Sequence, residues 1–502
     1  MITMSGRHGH RGGTPVRSGR HDEDADLPDS LVDAFASRLR GELIRPGQRG
    51  YDPARELWNG MIDRYPAMVA RCADEDDVVA AVDFARDNGM LVAVRGGGHG
   101  VAGHAVCDGG LVIDLSGMRG VDVDPEARTA VAQGGCTLGD VDRETQRHGL
   151  ATPLGVVTQT GIAGLTLSGG MGWLRRKHGL SCDNLLSARI VTADGRVLVA
   201  DGNHHQDLFW GIRGGGGNFG VVTSFTYRVH PLGPEVFVCF VFYPAARAKD
   251  VLRACERHLA QRPDDFAPIA ILGKVPEAEE FPPDAYGKDF AALLAPYPGD
   301  PAEGERLLRP LREITDPICD LSATMPYTRA QSILDEDYPD GWRYYWKSMN
   351  VPALSDELIE RLAAHAAASP SPRSTLDIWY QGGAMARVGE EETAFANRDA
   401  PYLIGIEGNW EAESDSAQNV AWVHDTCADL HPFSAGGVYL NFPGFLEEGE
   451  RLLREGYGRN YERLSAVKAT YDPGNLFRLN ANVKPRQTGA VTDGGDPRDR
   501  RP

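Results

Sequence analysis

The stretch AVRGGGHGVAG, residues 93–103, decides how the rest of the chain is interpreted. A short apolar run leads into an arginine, three consecutive glycines and a histidine. Four structures fit this pattern: a metal-binding loop, a phosphate-binding loop, a loop that holds a cofactor through the histidine, and a tight turn without a ligand. The surrounding sequence favours some of these over others.

A metal site and two common nucleotide sites have little support. His99 lacks ligand partners at metal-binding spacing, so we predict no metal centre. The segment GGGNFG at 215–220 matches a dinucleotide-binding fingerprint, but the following VVTSFTYRV alternates and predicts a strand, whereas that fingerprint opens a helix. The sequence contains no GxxxxGK[ST] motif, which excludes an ATP-type phosphate loop.

Two further glycine clusters favour a bound cofactor over an empty turn. They are GIAGLTLSGGMG at 161–172 and RGGGGNFG at 213–220, so the three clusters lie within about 125 residues. Bare glycine backbone lets N–H groups approach a pyrophosphate, and Arg95 would screen its charge. His99 would then face the ring system of the cofactor.

Bulk composition limits the remaining possibilities. A chain of 502 residues predicts two domains, and 42% hydrophobic with 25% charged residues is typical of a globular protein. The net charge of −19 argues against nucleic acid as a partner. The eight cysteines are scattered, which favours a reducing compartment. With no apolar leader or membrane-length run, we expect a soluble cytoplasmic protein that does not bind membranes.

Local patterns predict an α+β fold. Strands are expected at 67–72, 90–94, 111–116 and 128–135, with helices at 74–89, capped by Asp74, and from Thr137, where a capping box is present. The D-G pair at 194–195 lies between two alternating runs and predicts a hairpin. Glycine clusters end near residue 230, and we place a domain boundary at His230–Pro231.

Four separated segments resemble, in order, the motifs of berberine-bridge-enzyme-like FAD-linked oxidases. That family belongs to the vanillyl-alcohol-oxidase superfamily, which has a PCMH-type FAD-binding domain. The segments are RGGGHGVAG with DGGLVIDLSGMRGVDVD (95–124), GIAGLTLSGGMGWLRRKHGLSCDNLLSARIVTADG (161–195), DLFWGIRGGGGNFGVVTSF (207–225) and NYERLSAVKATYDPGNLF (460–477). The resemblance covers roughly residues 50–485.

This resemblance implies a domain organisation. Residues 45–230 would form a two-subdomain PCMH-type FAD-binding domain. Before it, at 1–44, the composition predicts a disordered arm that is followed by a leading segment. Residues 231–449 form a substrate domain whose antiparallel sheet, flanked by helices, roofs the isoalloxazine. The chain returns to the FAD domain at 450–486 and ends in a disordered tail, 487–502.

The resemblance also implies FAD, bound covalently through His99. Val157 stands where many members carry a second, cysteinyl link, so we expect one covalent bond. Thr160 occupies the position associated with oxygen access. The residues expected to contact FAD are Arg95, Gly96, Gly97, Gly98, His99, Gly100, Gly103, Thr160, Gly161, Gly164, Gly169, Gly170, Gly172, Gly220, Val221, Asn480 and Asn482.

On the substrate side, oxidation of an alcohol needs a base for the hydroxyl proton. The segment GGVYLNFPG (436–444) resembles the family's Y-x-N-Y segment, which makes Tyr439 the expected base and puts Phe442 in place of the second tyrosine. Lys347 is the predicted cation that lowers the pKa of Tyr439, and Tyr380 is predicted to orient substrate. Packing roles for all three residues stay open alternatives.

The function that follows is an FAD-dependent oxidoreductase. It would oxidise a C–H bond of an alcohol, sugar or secondary metabolite by hydride transfer to flavin N5. Reoxidation by O2 would give H2O2, so the expected partners are a small-molecule substrate and O2. A dehydrogenase with another acceptor, or a flavin-binding protein without turnover, are the alternatives. The sequence leaves the substrate and the oligomeric state open.

Overall fold

The computed structural model describes residues 27–262 and 264–487. The predicted disordered arm falls mostly outside this part of the chain, and so does the predicted tail beyond residue 487. Residues 27–44 of the leading segment contain helix α1 (Asp29–Ala36) and strand β1 (Glu42–Ile44). Within the described ranges, no helix is long and apolar enough to cross a membrane.

The first sheet carries the glycine loop that contains His99. Its strands, in the order β1-β2-β4-β3, are β1, β2 (Met68–Arg71), β4 (Leu111–Asp114) and β3 (Val92–Arg95). The strands β2 and β3 both run parallel to β4, while β1 is antiparallel to β2. The loop at 96–100 therefore leaves the carboxyl end of β3.

The helices of this first region follow the sequence signals. Short α2 (Tyr51–Arg55) precedes β2, and α3 (Glu75–Asp87) connects β2 to β3. The carboxylate of Asp74 accepts a hydrogen bond from the backbone N–H of Asp77, which is the predicted N-cap. Buried Val78, Val82 and Ala85 form the apolar face that packs against the sheet.

The second sheet has five antiparallel strands in the order β5-β6-β10-β8-β9. They are β5 (Val121–Asp124), β6 (Thr129–Gln133), β8 (Leu185–Thr192), β9 (Val197–Asp201) and β10 (Gly220–Arg228), while β7 (Leu150–Ala151) pairs with β11 (His230–Pro231). The predicted hairpin around 194–195 and the strand after the third glycine cluster are confirmed. The helices of this region are α4 (Leu138–Gln146), α5 (Ile162–Leu167), α6 (Arg175–His178) and α7 (Gln206–Ile212).

The large sheet contains eight strands, all paired antiparallel. Seven run in the order β15-β12-β14-β13-β18-β19-β17, and β16 pairs beside β12. Their bounds are β12 (Glu235–Pro244), β13 (Ile269–Lys274), β14 (Asp289–Tyr297), β15 (Cys319–Asp320), β16 (Ala323–Pro326), β17 (Arg343–Val351), β18 (Thr375–Tyr380) and β19 (Tyr402–Trp410). The α+β fold class is therefore confirmed.

Helices pack on one face of the large sheet and leave the other face toward a cavity. The helices of this region are α8 (Ala248–Gln261), α9 (Pro301–Arg312), α10 (Tyr327–Gln331), α11 (Asp356–Ala367), α12 (Ala384–Arg387) and α13 (Ser416–Leu430). The core beneath α8, α11 and α13 takes Leu376, Ile378 and Tyr380 from β18. Because strand side chains alternate, Asp377 and Trp379 point to the opposite face.

The C-terminal helices α14 (Glu450–Tyr457) and α15 (Tyr461–Tyr471) pack in the core of the second sheet. Leu464 and Val467 lie there with Leu208 of α7 and Phe219 before β10. The chain passes from the second sheet to the large sheet between Arg228 and Glu235. The domain limits given above stay predictions.

Candidate cofactor and substrate site

A cavity of about 310 Å³ lies between the glycine loops and the open face of the large sheet. The parts of the chain that line it include the loop 96–105, the segments 155–171 and 216–222, the cavity face of β17–β19, and the segments 439–446 and 477–481. The chain therefore brings together segments more than 380 residues apart in sequence.

The first two glycine clusters touch each other at the cavity floor. A Cβ on Gly97 would lie 2.5 Å from the Cα of Gly161, so a side chain cannot be accommodated there. In contrast, a Cβ on Gly100 or Gly164 would meet no atom within 4 Å, and both residues line the cavity. The backbone is thus exposed to the space that a cofactor would fill.

His99 projects from this loop with its imidazole enclosed. The ring stacks on Trp58 with centroids 4.0 Å apart and 16° between planes. Burial lowers the pKa of His99 to about 4, so the ring is neutral at physiological pH. Among the described residues, its Nε2 is buried and has no hydrogen-bond partner. A buried nitrogen in this state fits a group that the cavity is built to hold.

The asparagines near the C-terminus differ in position. Asn480 lines the cavity, and its Nδ2 donates to the carbonyls of Gly217 at 3.1 Å and Phe477 at 3.0 Å. The Oδ1 atoms of Asn480 and Asn482 are buried without partners in the described ranges. Asn482 itself lies outside the cavity lining, so Asn480 is the better placed of the two.

Several residues that were predicted to contact FAD pack within the loops and do not line the cavity. Gly169 packs against the ring of Phe395, Gly172 against the carbonyl of Leu154, and Val221 lies in the core of the first sheet. Arg95 donates to the carbonyl of Ala54 at 2.8 Å and lines a neighbouring groove. The remaining predicted lining residues face the cavity: Gly96, Gly97, Gly98, His99, Gly100, Gly103, Thr160, Gly161, Gly164, Gly220 and Asn480.

Tyr439 enters the cavity from the opposite side. Its hydroxyl oxygen accepts hydrogen bonds from the backbone N–H of Met171 at 3.1 Å and from Nδ2 of Asn441 at 2.8 Å. Burial raises the pKa of Tyr439, while these donors and the N–H of Gly170 oppose the increase. The backbone of Gly170 therefore helps to hold the hydroxyl of Tyr439.

The geometry does not support the roles predicted for Lys347 and Tyr380. The Nζ of Lys347 pairs with Glu447 at 3.0 Å and with Glu448, and the hydroxyl of Tyr380 donates to the carbonyl of Leu252 at 3.2 Å. Both side chains point away from the cavity, because the strand alternation gives the cavity face to their neighbours Trp346 and Trp379. Lys347 is therefore not the cation that lowers the pKa of Tyr439.

Sequence reasoning missed two acidic residues on the cavity face. Asp377 on β18 and Glu407 on β19 line the cavity and are 3% and 2% exposed. Each lies within a largely apolar strand segment, LDIWY and LIGIEGNW. A carboxylate in a run that predicts a buried strand is unusual, and this anomaly was the available signal.

Both carboxyls have a raised pKa, which favours their protonated forms. Burial raises the pKa of Asp377 to about 7, opposed by Thr375 and reinforced by Asp337. Burial also raises the pKa of Glu407 well above its usual value, and the charge of Asp377 adds to this. The hydroxyl of Tyr338 donates to Oε2 of Glu407 at 2.8 Å and partly offsets the increase. Groups shifted in this way are common in active sites.

Comparison with known proteins agrees with this geometry. Residues 66–201 match the model of an FAD-binding domain, and residues 438–484 match that of berberine and berberine-like proteins. The FAD-linked oxidoreductase YgaK of Bacillus subtilis is 31% identical over 89% of this chain and 98% of its own length. The chain belongs to the berberine-bridge-like FAD-linked oxidoreductases.

Two further relatives show the range of this family. Glucooligosaccharide oxidase of Sarocladium strictum is 28% identical over 90% of this chain and 94% of its own. The crystal structure of 6-hydroxy-D-nicotine oxidase from Arthrobacter nicotinovorans matches with a TM-score of 0.80 and 28% identity, covering 89% and 98% of the two chains. The chain is thus an FAD-binding enzyme with the fold of PCMH-type FAD oxidases.

Proposed function

We propose that this enzyme oxidises a C–H bond next to a hydroxyl or amino group of a small organic molecule, with O2 as electron acceptor. The observation that carries the proposal is the position of Tyr439. Its hydroxyl, held by Met171 and Asn441, lines the same cavity as His99 and the glycine cradle. A proton-accepting group and a cofactor site therefore share one enclosed space.

FAD in this cavity would supply the hydride acceptor and would return its electrons to O2 as H2O2. The protein contributes proton handling and positioning. Burial raises the pKa of Tyr439, and the two donors to its hydroxyl oppose this increase because they stabilise the phenolate. The phenolate is the form that would take the proton of a substrate hydroxyl. Val157 and Thr160 line the cavity from the segment before the second glycine cluster. The rings of Trp346 and Trp379 shape the substrate side.

His99 is the proposed point of covalent attachment. Its ring is neutral because burial lowers its pKa to about 4, so a nitrogen lone pair is available for the bond to the flavin. Val157 stands where a second, cysteinyl bond would form, so a single bond is proposed. Asn480, with its buried and unpartnered Oδ1, would hydrogen-bond the cofactor as well.

Denaturation of the purified protein tests the attachment. After acid or SDS treatment, yellow fluorescence should stay with the wild-type polypeptide and be lost from His99→Ala. His104→Ala is the matched control, because His104 lines the same cavity and burial likewise lowers its pKa to about 4. Fluorescence that leaves the wild-type chain, or that stays with His99→Ala, would contradict the proposed bond.

Substrate oxidation is tested with the same holoenzyme. Alcohols, sugars and amino alcohols are added anaerobically, and bleaching of the flavin absorbance reports reduction. Air is then admitted, and about one H2O2 per substrate is expected. Reduction by substrate without peroxide formation would replace O2 by another acceptor, and the absence of bleaching with every compound would point to a flavin-binding protein without turnover.

A further inference from the structure

Asp377 and Glu407 flank one small space on the cavity face of the large sheet. Their strands are antiparallel neighbours, with Asp377 opposite Gly405 and Glu407 two residues further along β19. A Cβ built on Gly405 would lie 3.5 Å from the Cβ of Asp377 and 3.4 Å from Oε1 of Glu407. Because Gly405 has no side chain, the space between the two carboxyls is left open.

The two carboxyls lack a counter-charge from the protein. The Oδ1 of Asp377 is buried without a hydrogen-bond partner, and Glu407 receives a hydrogen bond from Tyr338. Within residues 27–487 as described, none of the ion pairs involves either carboxyl. Burial raises the pKa of both acids, and a positive group placed between them would lower it again and favour their ionised forms.

Aromatic rings surround the same part of the cavity. The ring of Trp346 lies 5.4 Å from that of Tyr338 and 5.2 Å from that of Phe442, and Trp379 lies 6.3 Å from Phe442. All four rings belong to the cavity lining. Electron-rich ring faces attract organic cations, most strongly where water is excluded.

The cation beside the ring of Trp379 does not fill this role. The guanidinium of Arg175 lies 5.1 Å from the ring of Trp379. It is buried outside the cavity lining and donates to backbone carbonyls, among them those of Tyr380 and Pro268. Arg175 therefore satisfies the backbone behind Trp379 and does not pair with either carboxyl.

We propose that the substrate of this enzyme is a small organic cation whose ammonium group binds over Gly405, between Asp377 and Glu407. This inference rests on the proposed oxidoreductase function and names its substrate class. The ammonium group anchors the substrate, and the carbon that is oxidised belongs to another part of the same molecule, within reach of Tyr439. A neutral polyol could also form hydrogen bonds with these carboxyls, but it would lack the charge attraction that an ammonium group gains as it favours their ionised forms.

Ethylammonium chloride is the first probe, because it is small enough to enter the space whatever the shape of the true substrate. Added to the flavin-loaded wild type at pH 7, it should produce a saturable change in flavin absorbance at millimolar concentration. Ethanol and potassium chloride are the neutral and ionic controls. The double variant Asp377→Asn with Glu407→Gln should lose at least tenfold in affinity. No saturable change, or the same change in the double variant, would overturn the proposal.

A second variant guards against a folding artefact in the first. Gly405→Ala leaves both carboxyls in place and fills the space between them, with ordinary contact distances to each. It should bind ethylammonium at least fivefold more weakly while retaining flavin and the wild-type melting temperature. Undiminished binding in this variant would place the ammonium elsewhere and overturn the proposal.

Larger probes separate failure of this inference from failure of the function. Piperidin-4-ylmethanol and cyclohexylmethanol differ by one ring position, NH2⁺ against CH2, and cellobiose represents neutral polyols. The inference expects flavin reduction by the piperidine at least tenfold faster than by cyclohexylmethanol. Faster flavin reduction by cyclohexylmethanol or cellobiose would overturn the proposal of a cationic substrate but would still support an oxidoreductase. Loss of flavin from the purified wild type would instead remove the function itself.

Discussion

Replacing Tyr439 with phenylalanine removes one oxygen from the cavity and leaves the ring in place. The Tyr439→Phe enzyme should keep its flavin, and substrate-dependent flavin reduction should fall by about 10²–10⁴-fold, the usual contribution of a general base. Stopped-flow absorbance measures this rate. Tyr380→Phe is the matched control, because the hydroxyl of Tyr380 bonds to Leu252 on the other side of the sheet. Equal losses in both variants would refute the assignment.

Asp142 is a residue whose ionisation should affect stability. It lies on α4, is 2% exposed, and both of its carboxylate oxygens lack partners among the described residues. Burial raises the pKa of Asp142 to about 8, so between pH 4 and 8 the folded protein holds a proton that the unfolded chain releases. The free energy of unfolding therefore falls as pH rises through this window, by at most about 1.4 kcal/mol per pH unit.

Asp142→Asn should remove this dependence. Its melting temperature should exceed that of the wild type at pH 8.5, and the difference should shrink toward pH 5. Differential scanning calorimetry at several pH values measures it. Asp122→Asn, at an exposed position of β5, should give a difference that does not change with pH. A pH-independent effect of Asp142→Asn would contradict the argument.

At the scale of elements, edge strand β17 carries the segment that presents Tyr439. The N–H of Gly444 donates to the carbonyl of Trp346 at 2.7 Å, and the N–H of Tyr439 donates to Oγ of Ser348 at 3.1 Å. On the far face, Lys347 pairs with Glu447 and Glu448. One strand thus shapes the cavity with Trp346 and fixes the adjoining segment with Lys347.

Lys347→Met should loosen this segment. Two partly buried carboxylates would lose their cation, and we expect about 1–3 kcal/mol less stability in urea unfolding, below the loss for a fully buried pair. Flavin reduction should slow, because Tyr439 would be held less firmly. Lys249→Met is the control, since the exposed pair of Lys249 with Asp356 should contribute less than about 1 kcal/mol. Equal destabilisation in the two variants would contradict this account.

At the scale of the molecule, the cavity exists only where the large sheet meets the glycine loops. A buried ion pair crosses this junction, because Asp183, after the second glycine cluster, bonds Arg398 of the segment before β19 at 2.6 Å. The two side chains are 7% and 1% exposed. The guanidinium of Arg398 also donates a hydrogen bond to the hydroxyl of Thr393 at 2.7 Å.

Arg398→Met should weaken the junction itself. It leaves Asp183 buried without its cation, which typically costs about 3–5 kcal/mol. We expect a lower melting temperature than that of the wild type. The fluorescence anisotropy of the flavin should also fall at a lower temperature, because the two sides of the cavity would separate. Arg387→Met, which removes an exposed pair with Asp264, serves as the control. An unchanged melting temperature in Arg398→Met would show that the junction does not depend on this pair.

Short-range signals in the sequence predict the local elements and mark the cofactor loops. Caps at Asp74 and Thr137, the hairpin at 194–195 and the glycine clusters depend on interactions between near neighbours, so they can be read from short stretches. Tyr439 and His99 are predicted from motif resemblance, because the motifs of a family mark residues that come together only in the folded protein.

The face of each strand that meets the cavity depends on strand pairing and packing in the folded protein. A shift of one residue exchanges the two faces, so the apolar runs around Lys347 and Tyr380 could not show that Trp346 and Trp379 are the lining residues. Strand pairing also brought Asp377 and Glu407 together across Gly405. The distance between two side chains on different strands depends on register, which no local pattern in the sequence specifies.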